Sequence, residues 1–113
     1  MAGGMIRRGH FIVVATPGAY GKPRPALVVQ SDLFGHLPSF TICPLSTTLR
    51  DDADFLRIDV APTAENGLRQ PSQILVDKIT TVPVAKIGGV IGVAREELVL
   101  RVNRALAMFL GIV

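Results

Sequence analysis

Arg24, Ser46, Thr47 and Asp77 are side chains of types that can act on phosphate esters. Arg24 sits between two prolines in the stretch GKPRPALVVQSDLF, at the mouth of a run that reads as a core strand. Pro25 biases the arginine backbone to extended geometry. Its guanidinium stays charged and presents a planar fork that matches two phosphoryl oxygens. The plainer reading of Arg24 is a strand-end arginine solvated at the rim. Ser46 and Thr47 lie in CPLSTT, where a hydroxyl can bond a phosphoryl oxygen but is a poor proton acceptor by itself. The same Ser-Thr-Thr also suits a simple turn cap. Asp77, in LVDKI, is a carboxylate in an apolar run, which is costly unless paired. Arg24, Lys78 or a backbone donor would serve as partner, and a purely structural buried pair satisfies the same requirement.

A second set has the chemistry of single-stranded nucleic-acid contact: Tyr20, Lys22, Arg50, Gln73 and Lys78, with Arg57 and Arg69 as further cations. Tyr20, the only tyrosine, has a ring that can stack on a base. Gln73 shares a period-two face with Leu75 and Asp77 and can read a base edge. The cations supply salt-dependent phosphate affinity only if they share a face. Histidine is the natural acid–base residue near neutral pH, but His10 opens a strand and His36 lies in the FGHLPS loop, so neither is assigned acid–base work.

These residues must be held by short, mostly extended elements. The first predicted strands are 10–15, 24–30 and 40–45, where apolar residues run nearly without interruption, as in strands buried on both faces. Residues 55–60 alternate instead, with Leu56, Ile58 and Val60 on one face and Arg57 and Asp59 on the other, which predicts a half-exposed strand. Strands over 72–79, 81–84 and 86–93 follow, the last bent by Gly88, Gly89 and Gly92. The period then changes: Leu98, Val102, Ala105, Leu106 and Phe109 recur at helical spacing, Glu96 and Glu97 suit the first turn, and Gly111 ends a helix over about 95–110.

At 113 residues and 12.1 kDa the chain reads as a single domain over 1–113, with 1–4 an extension ahead of Met5. Hydrophobic residues at 49% and charged residues at 19% exclude a disordered class. Mean hydropathy is +0.43, but Gly, Pro or a charge interrupts every candidate membrane span, and the apolar excess is assigned to core and an oligomer interface. The net charge of +3 permits polyanion binding without demanding it. One cysteine, Cys43, fits a reducing cytoplasm and offers no Cys-rich metal site, and the N-terminus lacks a secretory apolar segment.

Six stretches, RRGHF, KPRPALVVQSD, CPLSTT, SQILVDKITTV, IGGVIG and EELVLRVNRALAMFLGI, in this order resemble the PemK/MazF toxins, within the superfamily that also holds the CcdB toxins. The resemblance implies an SH3-like small barrel of six to seven strands with a C-terminal helix, assembled as a homodimer whose subunits share an RNA groove. It implies cleavage of single-stranded RNA at a short motif, with no metal or other cofactor, and inhibition by a cognate antitoxin. Metal-free cleavage can use the substrate's 2′-hydroxyl as nucleophile, so the protein must take that proton, steady the phosphorane and protonate the leaving oxygen. Arg24 matches the family's catalytic arginine, Ser46 stands where the family usually has a threonine with Thr47 adjacent, and Asp77 matches an aspartate that some members use in acid–base work. His10 replaces a family aspartate. The TPGAYGK loop departs from the pattern, lacking the Glu or His that many members carry there. Two alternatives stay open: a CcdB-like gyrase poison, suggested by VQSDLF, TTVPVAKIG and MFLGIV although Leu110 replaces the expected aromatic and CcdB lacks the Arg-Pro pair, and a non-catalytic barrel that binds RNA or antitoxin.

Overall fold

The computed structural model describes residues 6–15, 22–52 and 55–112. The loop carrying Tyr20, and the segment ahead of Ile6, lie outside the described residues. Among the described residues there are seven strands, β1 His10–Ala15, β2 Pro23–Val28, β3 Ser39–Ser46, β4 Arg57–Val60, β5 Ser72–Leu75, β6 Thr80–Pro83 and β7 Ile87–Val93, followed by helix α1, Glu96–Leu110. They pair antiparallel in the order β4-β5-β3-β2-β1-β7, with β6 joining β3 beside this path.

Strand β3 belongs to two ladders. Its first half, Ser39–Ile42, pairs with β6; its last two residues pair with β5, Leu45 opposite Ile74 and Ser46 opposite Gln73. On its other side the ladder with β2 ends at Ala26 opposite Pro44, where proline has no N–H to extend it.

The apolar runs in β1, β2 and β3 are explained by two cores, one on each face of these strands. Phe11, Leu27, Cys43 and Leu45 point to a core shared with β4, β5 and α1, through Ile58, Ile74, Val102, Ala105 and Leu106. Their neighbours Ile12, Val14, Ala26, Val28, Phe40 and Ile42 fill the other, closed by Val82 and Ile87. Because successive strand residues point to opposite faces, a strand buried on both sides has no polar alternation to show. The alternating stretch is β4, whose Ile58 and Val60 are buried and Asp59 exposed, as expected, although the strand proper starts only at Arg57.

The curl is closed by a loop as well as by strands. The 61–71 segment lies against β7: Val93 N–H donates to the Glu65 carbonyl at 2.8 Å. A Cβ at Gly92 would collide with the Asn66 backbone, and one at Gly67, whose φ is +69°, with the Ile91 carbonyl. The register of β7 on β1 slips twice, between Phe11 and Ile12 and between Val13 and Val14, which accounts for the bend expected from its glycines. At the far end α1 stops at Gly111, φ +75°. There Ile112 N–H reaches the Ala107 carbonyl at 2.8 Å and Gly111 N–H the Met108 carbonyl at 3.3 Å, the paired bonds of a left-handed helix stop.

Two expectations need correction. The predicted strand over 72–79 ends at Leu75, and Val76–Lys78 form a 3-10 turn, because the register along this edge of β3 shifts between the β5 ladder, Leu45 opposite Ile74, and the β6 ladder, Ile42 opposite Thr80. Phe109, assigned to the apolar face of the helix, is 42% exposed; the buried stripe ends at Leu106.

Candidate functional site

Arg24 is the second residue of β2, opposite Val14 of β1, and is exposed. By strand parity it shares a face with Ala26 and Val28 but stands beyond the end of their core. Its side chain has no hydrogen-bond or ion-pair partner among the described residues. Ser46 ends β3. Continuing the β2–β3 register by two residues past Ala26–Pro44 would set Arg24 opposite Ser46. The β2–β3 ladder stops short of this pair, so the two residues occupy the same end of adjacent strands, each held on its far side, Arg24 opposite Val14 of β1 and Ser46 opposite Gln73 of β5.

The chain leaves β3 through a tight turn. Ser46 Oγ accepts from Thr48 N–H at 3.1 Å, so the turn-capping role expected of the hydroxyl is present, and the oxygen also lies near the Thr48 carbonyl at 3.4 Å. Thr47 is exposed and lines a cleft of about 390 Å³ with Pro23, Pro25, Leu68, Arg69 and Ile91. A second cleft of about 400 Å³, with Arg50, Arg57, Asp59 and Gln73 in its walls, shares Ser72 with the first. Arg69 thus lines one cleft and Arg50 and Arg57 the other, the two meeting at Ser72, while Lys22 and Lys78 line neither.

Gln73 has a different position from the one its strand face suggested. It is 4% exposed, and both ends of its amide are occupied. Its Oε1 accepts from Arg57 Nε at 2.8 Å and Arg50 N–H at 3.2 Å, while its Nε2 donates to Asp59 Oδ1 at 2.8 Å and the Arg50 carbonyl at 3.2 Å. A base edge has no free atom to meet there. The sequence shows a polar residue in a strand; nothing in it marks a residue buried by partners from 50, 57 and 59.

Arg57 was counted only among the groove cations. Its Nη2 donates to the Thr48 carbonyl at 2.8 Å and its Nε to Gln73, so it fastens β4 to the turn that follows Ser46. Arg50 makes a two-pronged contact with Asp52, Nε to Oδ1 at 3.2 Å and Nη2 to Oδ2 at 3.1 Å. This holds the Asp52 carboxyl below its ordinary range through the hydrogen bond first and charge second. The pair is fully exposed and adds little to stability.

Asp77 stands apart from this arrangement. It is exposed on the 3-10 turn beyond β5, with Lys78 Nζ 3.8 Å away. The expectation of a carboxylate inside an apolar strand is therefore corrected, and with it the need for a buried partner such as Arg24. Lys78 is on the same turn, and Lys22 is exposed just ahead of β2. His10 Nδ1 accepts from Arg7 N–H at 3.1 Å, a local turn bond, and His36 is exposed on its loop. Among the described residues no cluster of three or more His, Cys, Asp or Glu side chains is disposed to hold a metal ion, and no helix is long and apolar enough to cross a membrane.

Among the described residues, a curled seven-stranded antiparallel sheet with one C-terminal helix, and an arginine without a side-chain partner at the same strand end as a hydroxyl-bearing turn, define a small β protein. The chain belongs to the PemK-like, MazF-like toxin family of type II toxin–antitoxin systems, whose profile matches residues 7–110. It is 44% identical over 108 residues to a protein of Mycolicibacterium smegmatis named probable endoribonuclease MazF, covering 95% of this chain and 98% of that one. Its fold is similar to the Mycobacterium tuberculosis toxin MazF-mt6, with TM-score 0.77 and 26% identity over 92% of this chain and 98% of the other. It is also similar in fold to a mycobacterial endoribonuclease solved in complex with its cognate antitoxin, TM-score 0.78 at 22% identity, over 96% and 97% of the two chains. The SH3-like barrel with terminal helix expected from the sequence is thus the fold observed.

Proposed function

We propose that this protein is the toxin of a type II toxin–antitoxin pair and cuts single-stranded RNA at a short sequence through the β2–β3 end of the sheet. Endoribonuclease activity is supported by membership of the family and by the relative that matches nearly end to end. The observation that carries the reading is the placement of Arg24, without a side-chain partner among the described residues, at the same end of the adjacent strands as Ser46. In this role Arg24 steadies the charge that builds on the phosphoryl oxygens as the ribose 2′-hydroxyl attacks, and a hydroxyl of Ser46 or Thr47 donates to one of them. The clefts on either side of Ser72 hold the flanking nucleotides, with Arg50 and Arg69 beside the backbone. Lys22 and Lys78 add charge farther out, and Tyr20, outside the described residues, is a stacking candidate.

The partners follow from the same reading. Family membership supports a cognate antitoxin. A homodimer is supported by apolar surface left open on β7 and at the end of α1, where Val93 is 50%, Met108 64% and Ile112 65% exposed. The protein acts in the cytoplasm, where its RNA is. The gyrase-poison alternative is not favoured: the chain matches the MazF-like branch, and the terminal aromatic that reading needs is Leu110.

The test is incubation of the purified protein with a mixed-sequence single-stranded RNA in EDTA, beside Arg24→Ala, with the new ends mapped. The native chain is expected to leave 2′,3′-cyclic phosphate ends. Loss of the arginine should cost about a hundredfold or more in rate, the scale of one charge-stabilising donor. An uncut RNA would reject the enzyme and leave the non-catalytic barrel, and equal cutting by the variant would remove Arg24 from the chemistry.

A further inference from the structure

We infer that Arg57 is a positioning residue for RNA cleavage, acting with Gln73 as a clamp that sets where the Ser46 and Thr47 hydroxyls stand. The inference rests on the ribonuclease reading of this end of the sheet, and it concerns residues that would otherwise pass for phosphate and base contacts. After Ser46 the chain is no longer held by a ladder, so residues 47–50 need other restraints to keep a fixed path. The restraints come from side chains. Thr48 N–H is taken by Ser46 Oγ, its carbonyl by Arg57 Nη2 at 2.8 Å, and both Arg50 backbone groups by the Gln73 amide at 3.2 Å. Arg57 Nε and Gln73 Oε1 join these restraints at 2.8 Å, and Asp59 Oδ1 fixes the remaining Gln73 proton.

The anchors themselves cannot drift. Gln73 is opposite both Ser46 on β3 and Asp59 on β4, so one residue of the central strand ties the hydroxyl-bearing turn to the edge strand. Arg57 supplies something no lysine can: one edge of a flat guanidinium meets a side-chain oxygen and a backbone oxygen together. Displacing a reacting group by about 1 Å costs about a hundredfold in rate, so a clamp of this kind affects turnover rather than affinity. A direct phosphate contact by Arg57 would do the reverse, weakening binding and flattening its salt dependence by about one unit.

The experiment first establishes cleavage by the native chain. Arg57→Lys, which keeps the charge, and Arg57→Leu are then compared with it for kcat and KM on an RNA oligonucleotide at two salt concentrations. Amide hydrogen exchange at Thr48 and Arg50 is followed by NMR in parallel. The expected result for Arg57→Lys is a fall in kcat of roughly ten- to a hundredfold, with KM within about twofold, an unchanged salt slope, and faster exchange at both amides. If Arg57→Leu fails to fold, the lysine variant carries the test alone. A raised KM with a flatter salt slope would make Arg57 a phosphate ligand and overturn the inference, as would unchanged exchange. Faster exchange in a protein whose native form cuts no RNA would overturn the positioning role by removing the reaction, and would leave the clamp as architecture alone.

Discussion

At the scale of single residues, the hydroxyl at Ser46 and the thiol at Cys43 behave in opposite ways. Ser46 is half-buried, bonded within its own turn and still at the strand end. Ser46→Thr keeps the oxygen and adds the stiff branch usual in strands, so cleavage is expected to stay within about threefold. Ser46→Ala removes both the turn bond and the donor, and a loss of roughly tenfold or more is expected, near the worth of one hydrogen bond; single-turnover rates decide between them. Cys43 is fully buried, and its thiol is pushed up to about 12 from 9.0, chiefly by burial, with Arg8 pulling down and Asp77 pushing up. Between pH 9 and 12 the unfolded chain therefore loses a proton that the folded chain keeps. Stability falls as pH rises through this window, by roughly 1 kcal/mol per pH unit from this group. Urea midpoints at pH 8, 9 and 10 should show a shallower decline in Cys43→Ala than in the native chain. Legibility differed in the same way among residues. Arg24 stood out because its charge interrupts an apolar run and prolines flank it. Gln73 and Arg57 did not, because their meaning lies in partners 16 residues apart and in a backbone carbonyl nine residues away, and no local pattern records such a bond.

At the scale of elements, the strands that carry the site were readable wherever burial dictated composition. The doubly buried β1, β2 and β3 declared themselves by continuous apolarity, and β4 by alternation. The 3-10 turn at Val76–Lys78 was hidden inside an equally apolar run, since Val76 is buried whether the chain is extended or turned. What breaks the strand is the need to reach the other half of β3, a tertiary demand. The closure of the curl yields a firm expectation. A methyl at Gly92 would meet the Asn66 backbone, which cannot yield as a side-chain tip would. Gly92→Ala is therefore expected to destabilise the fold by about 2 kcal/mol or more, and Gly88→Ala, with only ordinary contacts to Val13, by much less; thermal melts compare them directly. Helix α1 offers the opposite opportunity. Its N-cap is Arg95, which makes no side-chain cap bond and has only an exposed contact to Glu65 at 3.4 Å. Arg95→Ser should stabilise by about 0.5 to 1 kcal/mol, read as a rise in the melting temperature.

At the scale of the whole molecule, the open apolar surface makes a prediction about assembly. The exposed Met108 and Ile112 at the end of α1 are expected to be covered in a dimer of twice 12.1 kDa. Light scattering on Met108→Glu/Ile112→Glu should then show a larger monomer fraction than the native protein. An unchanged mass would place the dimer contact elsewhere. Neither oligomer nor antitoxin was readable beyond the family resemblance, because a surface patch leaves no period in the sequence.

The helix also makes the proposed site depend on a distant part of the chain. The core beneath Ser46 and Gln73 contains Leu45 and Ile74, and it is covered by Val102, Ala105 and Leu106 of α1. Domains form as units, so the turn proposed to hold the hydroxyls has no floor until α1 has packed. A fragment that stops before α1 keeps every residue proposed for cutting RNA and loses the support beneath them.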